Sequence, residues 1–279
     1  MVPRSRLTTL LGACVLLGLL AAMPAAGRAQ TLGPVSTYFL TVGDQQKVHA
    51  IQGSSVVASF STAGTGREYP LFVLNNSIVT VGPSTSETGR TYTFSGVASG
   101  STTVYPIANG SAWDATTDGT YAYFVDYSLG TVYRTDLDFS NPVALFGNLG
   151  GGAFLGITYD ASNNSLWLSG WSSNVVRNYS LSGTLLSSFT GPTSSLTSLA
   201  LDPATGTLWM GSQQQQGNFW EYSRTGALLQ SINLPSLANQ NTLGGEFALA
   251  AVPEPATWIQ LAAGALLLAL GARRRARGR

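Results

Sequence analysis

Seven acidic side chains stand where they could do chemistry: Asp44, Asp114, Asp126, Asp160, Asp202, Glu221 and Glu246. Two carboxyls about 5–10 Å apart, one protonated and one ionised, can cleave a glycosidic bond. Spacing along the chain does not set that separation, so the pair stays an alternative. Other chemistries find little footing. There is no Gly-rich phosphate loop, Gly-x-Ser-x-Gly elbow or cluster with metal-ligand spacing. His49 is the single histidine, and one imidazole cannot build a multi-histidine metal centre. It could act as a base beside a carboxylate. In Lys47-Val-His-Ala-Ile51, alternation puts it on one face with Lys47, as an exposed strand residue. The single cysteine, Cys14, lies in the N-terminal apolar run, so the remainder offers no disulfide and no thiolate. The expectation is a binding protein with no catalytic residue, metal or cofactor.

Asp160 and Asp202 hold equivalent places, each before a short polar turn that an Asp carboxylate organises by accepting backbone N–H bonds. A ring of calcium-binding or substrate-binding carboxylates is the sharper alternative. The segments around them are related. Gly156-Ile-Thr-Tyr-Asp160, then Leu166-Trp-Leu-Ser-Gly170, returns as Ser198-Leu-Ala-Leu-Asp202, then Leu208-Trp-Met-Gly-Ser212. Ala112-Trp113-Asp114 leading to Tyr121–Val125 is an earlier copy, and Pro70–Leu74 leading to Ile78–Val81 a fainter one. Short apolar alternation, abundant Gly, Ser and Thr, and no helical period point to strands.

Each copy continues with a third and a fourth strand. The third strands are 47–51, 90–94, 131–135, 175–180 and 219–223, and the fourth are 56–60, 104–107, 143–146, 185–189 and 228–232. Self-similarity at 40–45 residues with four strands per unit predicts an all-β fold, a β-propeller of about five four-stranded blades. The first copy opens at its second strand, Ser36–Val42, and a spare strand closes the body at Gly244–Val252. Pairing of these two would close the ring; an open sandwich is the alternative. Residues 235–243 read as a linker for that return. Trp167 and Trp209 fall within strands and should pack between blades, while Gln213–Gln216 form a solvated loop that could touch a ligand.

The stretch Leu201-Asp-Pro-Ala-Thr-Gly-Thr-Leu-Trp209 resembles the propeller repeats of the NHL and lactonase-like or YVTN type. The likeness covers about two units well. It implies the architecture and carries over no active site, since those families usually have six or seven blades.

The two ends of the chain concern location. Arg4 and Arg6, an apolar run to about Ala22 and small residues up to Ala29 make a signal peptide over 1–29, cut between Ala29 and Gln30. At the other end stand Val252, Pro253, Glu254 and Pro255, an uncharged apolar segment over 256–272, and Arg273, Arg274, Arg275, Arg277 and Arg279. The apolar segment is at the short limit of roughly 17–25 residues for a membrane helix, and arginines favour the cytoplasmic side. This three-part tail, 253–279, resembles the PEP-CTERM sorting signal. The resemblance implies an exosortase-type processing enzyme as partner, the membrane or cell surface of a Gram-negative bacterium as location, and an exopolysaccharide matrix nearby. The body between, 30–252, becomes an ectodomain expected to bind extracellular polysaccharide or surface proteins. Residues 30–272 carry thirteen acids and six cations, a net charge of −7, which excludes a phosphate-neutralising basic face and argues against nucleic acid. A purely structural surface spacer is a further alternative.

Overall fold

Four short strands recur five times, and each set of four forms its own antiparallel sheet. The computed structural model describes residues 36–43 and 45–249. Blade 1 holds β1 (Ser36–Val42), β2 (Lys47–Gln52) and β3 (Ser55–Ser61). Blade 2 holds β4 (Leu71–Leu74), β5 (Ser77–Thr80), β6 (Thr88–Thr93) and β7 (Ala98–Val104). Blade 3 is β8 (Thr116–Thr117), β9 (Ala122–Asp126), β10 (Thr131–Thr135) and β11 (Val143–Phe146). Blade 4 is β12 (Phe154–Asp160), β13 (Ser165–Gly170), β14 (Val175–Ser180) and β15 (Leu185–Thr190). Blade 5 is β16 (Leu196–Asp202), β17 (Thr207–Ser212), β18 (Asn218–Tyr222) and β19 (Leu228–Asn233). The last strand, β20 (Thr242–Leu249), pairs antiparallel with β1 from Ser36–Leu249 to Val42–Thr242 and becomes the inner strand of blade 1.

The inner strands touch in a closed circuit, β20 to β4 to β8 to β12 to β16 and back to β20. The molecule is thus a five-bladed propeller whose ring is shut by joining its two ends, as the missing first strand and the spare last one require. The predicted signal peptide with its cut at Ala29 and Gln30, the sorting residues Val252–Pro255, the apolar segment 256–272, the arginines from Arg273 to Arg279 and Asp44 all lie outside the described residues. Among the described residues no helix is long and apolar enough to cross a membrane.

Composition explains which strand goes where. Second strands such as Ala122–Asp126 and Ser165–Gly170 are buried along their whole length, because a sheet standing edge-on to the axis packs both faces against neighbouring blades. Outer strands such as Leu185–Thr190 are almost wholly exposed. The core is five wedges, one per blade interface. Three wedges repeat one device. An outer-strand Phe packs on a third-strand Tyr of the next blade, with ring centroids at 5.2 Å for Phe60–Tyr92, 5.3 Å for Phe146–Tyr179 and 5.5 Å for Phe189–Tyr222. The turn before each following outer strand supplies Gly96, Gly183 or Gly226 at φ +85, +84 and +86. A Cβ at Gly96 or Gly183 would come within 2.5 Å of Phe60 or Phe146, so glycine is needed there for both backbone and space.

Three expectations need correction. The outer strand of blade 2 is Ala98–Val104 rather than 104–107; an edge strand of Ser, Gly and Thr has no apolar alternation to reveal it. Blade 3 opens with only Thr116–Thr117 as inner strand, because residues 112–115 leave regular pairing at the ring axis. The return segment 235–243 is more than a linker: it holds a 3-10 turn at Pro235–Leu237, with Leu234 and Leu237 fully packed in the wedge between blades 5 and 1.

Candidate functional site

The ring has two faces. On one, the turn side, lie the hairpins between first and second strands, such as 161–164 and 203–206. On the other, the loop side, lie the connections between blades. Asp114 separates the two at the axis. It is fully buried, and its carboxylate collects backbone N–H groups from the inner strands of three other blades. Oδ2 accepts from Ile157 and Leu199, each at 3.1 Å, and Oδ1 accepts from Gly245 at 3.0 Å. Oδ1 also accepts from Ala115 at 3.0 Å. Burial raises its pKa well above the ordinary carboxyl value, while these N–H donors work against that. Its neighbours are spoken for, so Asp114 ties the ring together and cannot meet a substrate.

On the turn side, a cleft of about 270 Å³ opens toward the axis. Thr116, Tyr159, Arg224, Glu246 and Phe247 line it. Glu246 points in from β20 and accepts bonds from Thr116 Oγ1 at 2.7 Å and from the Phe247 N–H at 3.1 Å. Burial pushes its carboxyl up to about 8 in spite of these two donors. At neutral pH it is therefore mostly protonated. Arg224 contributes little free charge, because its Nε pairs at 2.9 Å with buried Asp160 of the preceding blade.

The loop side carries aromatic rings. Trp113 directly precedes Asp114 and stacks on Tyr69, with centroids at 5.1 Å and planes at 19°. Tyr127 meets it edge-on at 6.3 Å. Trp113, Tyr127 and Trp171 are each partly exposed there, and Gln214 and Gln215 are exposed in a blade 5 loop. In that loop the Gln213 N–H donates to the Ser195 carbonyl, and the Ser195 N–H donates to the Trp171 carbonyl.

The other predicted positions resolve one by one. Asp160 Oδ1 accepts from the Ser162 N–H and hydroxyl, at 3.0 and 2.6 Å, and its Oδ2 from the Trp167 indole at 3.2 Å. Asp202 Oδ1 accepts from the Ala204 N–H at 2.9 Å and from Ser36 Oγ at 2.7 Å. Both are turn organisers rather than ligand groups. Trp167 and Trp209 are buried between blades. Asp126 accepts from the Tyr105 hydroxyl at 2.5 Å, and Glu221 from Thr207 and Gln230 at 2.7 and 2.6 Å. Of the described acids proposed as a pair, only Glu246 faces the cleft. His49 is not exposed: it is 5% accessible, covered because Gln240 from the return segment lies over it. Among the described residues no group of three His, Cys, Asp or Glu could hold a metal ion. Sequence reasoning passed over Trp113 as a face residue. Its signal was the mismatch with blades 4 and 5, where the tryptophan stands in the second strand.

A family model described as the SMP-30/Gluconolactonase/LRE-like region matches residues 83–214, slightly less than half of the chain. Among solved structures, the fold is similar to a protein of unknown function from Bacteroides caccae at 11% identity, covering 71% of this chain and 73% of that one, with a TM-score of 0.48. It is similar to a chain of the nidogen/laminin complex at 10% identity, covering 77% and 99%, with a TM-score of 0.49. Virginiamycin B lyase from Staphylococcus aureus matches at 13% identity over 62% of this chain and 57% of its own, with a TM-score of 0.42. No curated protein matches the sequence significantly.

Proposed function

We propose that this is an exported surface protein whose propeller is tethered by its C-terminal tail and displays the loop side to bind neutral extracellular polysaccharide. One observation carries the reading: both described ends of the body leave from the turn side. Ser36 pairs with Leu249 and bonds to Asp202 in a turn-side hairpin. Six residues, 250–255, separate Leu249 from the apolar segment at 256, a reach of at most roughly 25 Å when fully extended. A tail that anchors in the membrane would keep the Glu246 cleft near that surface and turn Trp113, Tyr127 and Trp171 outward. Flat aromatic faces suit the apolar faces of sugar rings, and glutamine amides suit their hydroxyls. The net charge of −7 between residues 30 and 272 disfavours polyanions and favours uncharged chains. The scattering of Asp126, Asp160, Asp202 and Glu221 into structural bonds favours binding over a carboxylate-pair hydrolase.

The test is an array of neutral and anionic polysaccharides probed with the full chain, run beside envelope pull-downs. Neutral glycans should be retained, with Trp113→Ala and Trp171→Ala each weakening retention about tenfold. Silence in both assays would refute the binding role. Intact chain recovered from the cytosol, with its arginine end uncut, would refute export.

A further inference from the structure

We propose that Ser59, His49 and Gln240 form a nucleophilic site for short acyl esters on the outer face of blade 1, independent of the axial cleft. The β2–β3 register sets Ser59 directly opposite His49. Ser59 Oγ lies 2.6 Å from His49 Nδ1, and His49 Nε2 lies 2.7 Å from Gln240 Oε1. The amide itself is oriented, because Gln240 Nε2 donates to the Ser236 carbonyl at 2.9 Å. Gln240 therefore presents an acceptor to the ring, so Nε2 carries the proton and the Nδ1 lone pair faces the serine hydroxyl. That is the arrangement of nucleophile, base and orienting group that activates a serine.

The base is poised for neutral pH. Burial holds the imidazole below its ordinary pKa, with the Gln240 bond opposing and the Lys47 charge reinforcing the shift. His49 is thus unprotonated and able to accept. Ser59 is exposed on the outermost strand, so a reagent can reach it. Lys47 pairs with Ser61 in the same ladder, two residues along from the His49–Ser59 pair and on the same face. Its positive charge is felt at His49, and the same charge favours negative charge developing on a carbonyl oxygen at this site.

The chemistry balances with water as the only co-reactant. Ser59 Oγ attacks the ester carbonyl and its proton passes to His49 Nδ1. The tetrahedral adduct collapses, the C–O bond to the leaving alcohol breaks, and the alcohol departs with that proton. Water then attacks the acyl-serine, again giving a proton to Nδ1, and the carboxylic acid leaves as Oγ regains a hydrogen. Ser59 sits on an open strand rather than in a cavity, between Ala58 and Phe60 in sequence and with exposed Val57 and Ser61 two residues away on either side, so no pocket encloses a long acyl chain. An acetyl-sized group is the substrate class.

The full chain should be treated with a fluorophosphonate probe and with 4-nitrophenyl acetate and decanoate. The probe is expected on Ser59 by peptide mass. Ser59→Ala, at an exposed position, should keep the fold, abolish labelling and slow acetate hydrolysis by about 100-fold or more, the usual worth of a positioned base. His49→Gln should do the same. Gln240 is a positioning residue, so Gln240→Leu should reduce the rate and move the pH midpoint down, whereas Gln240→Glu should restore the rate and move the midpoint up. Labelling elsewhere, hydrolysis by Ser59→Ala at the unmodified rate, a pH profile indifferent to both Gln240 variants, or decanoate turned over faster than acetate would each overturn the proposal.

Discussion

Glu246 makes the stability of the ring depend on pH, and the size of the effect follows from its burial. The carboxyl titrates at about 8 in the folded chain against 4.5 for the free group. A raised acid binds its proton in the native state and releases it in the unfolded state throughout that interval. Stability is therefore full below the unfolded value and falls as pH climbs toward the folded one. Each pH step costs about 1.4 kcal/mol, so the interval costs about 4–5 kcal/mol as a ceiling. For a domain of this size that is a fall in Tm of about 8–20 °C at most. Burial raises Asp114 as well, with the Glu246 charge adding to the rise, so Asp114 contributes a decline of its own. Glu246→Gln keeps the shape and an acceptor for Thr116 Oγ1 but has no proton to lose. Scanning calorimetry from pH 4.5 to 9 should show the two proteins melting alike at the acid end. From about pH 5 to 8 the variant should then lose Tm less steeply than the parent, because only the Asp114 decline remains to it. Parallel curves would refute the reasoning, because they would mean Glu246 ionises freely in contact with water.

Asp114→Asn replaces a carboxylate oxygen with an NH₂ that faces donors; stranding N–H groups of Ile157 and Leu199 or of Gly245 should cost roughly 2–5 kcal/mol, read from urea unfolding. Gly183→Ala puts a Cβ into Phe146 at positive φ, and should cost about 1–3 kcal/mol, with Gly119→Ala as a milder control because its Cβ meets nothing within 4 Å. Arg224→Met removes the cation paired with buried Asp160. Because the arginine is partly exposed, the loss should be only about 1–2 kcal/mol, seen in the same unfolding assay and shrinking in high salt.

The repeat was legible because Leu166-Trp-Leu and Leu208-Trp-Met alternate between two buried faces, and their hairpin turns carry the same Asp. Asp118 occupies that turn place in blade 3, where Oδ1 accepts from Thr120 and Tyr121 at 2.8 and 2.7 Å. Asp114 then falls where blades 4 and 5 have Gly156 and Ser198, one small residue each. Periodicity compares blades as equals and cannot say which one sends a side chain across the axis. The same limit hid the loop-side aromatics, since Trp113 breaks the pattern instead of repeating it. His49 was misread for a related reason: alternation within Lys47–Ile51 describes the two faces of one strand. It cannot foresee that Gln240, 191 residues away, will cover one of them.

Closure of the ring and attachment of the tail fall on one strand. β20 must pair with β1 to complete blade 1, and it is also the last described element before the tail. Its residues reach across the axis: the Gly245 N–H donates to Asp114, and the Glu246 carboxyl accepts from Thr116 Oγ1. If the tail tethers the propeller, as proposed, a pull along β20 would load its ladder with β1 lengthwise, so the backbone bonds would share it rather than give singly. The two cross-axis bonds lie in blade 3, on the far side of the ring. A load carried into β20 therefore meets blade 3 through these two bonds as well as blade 1 through the β1 ladder, and Trp113 lies next to Asp114, the residue that holds the first of them.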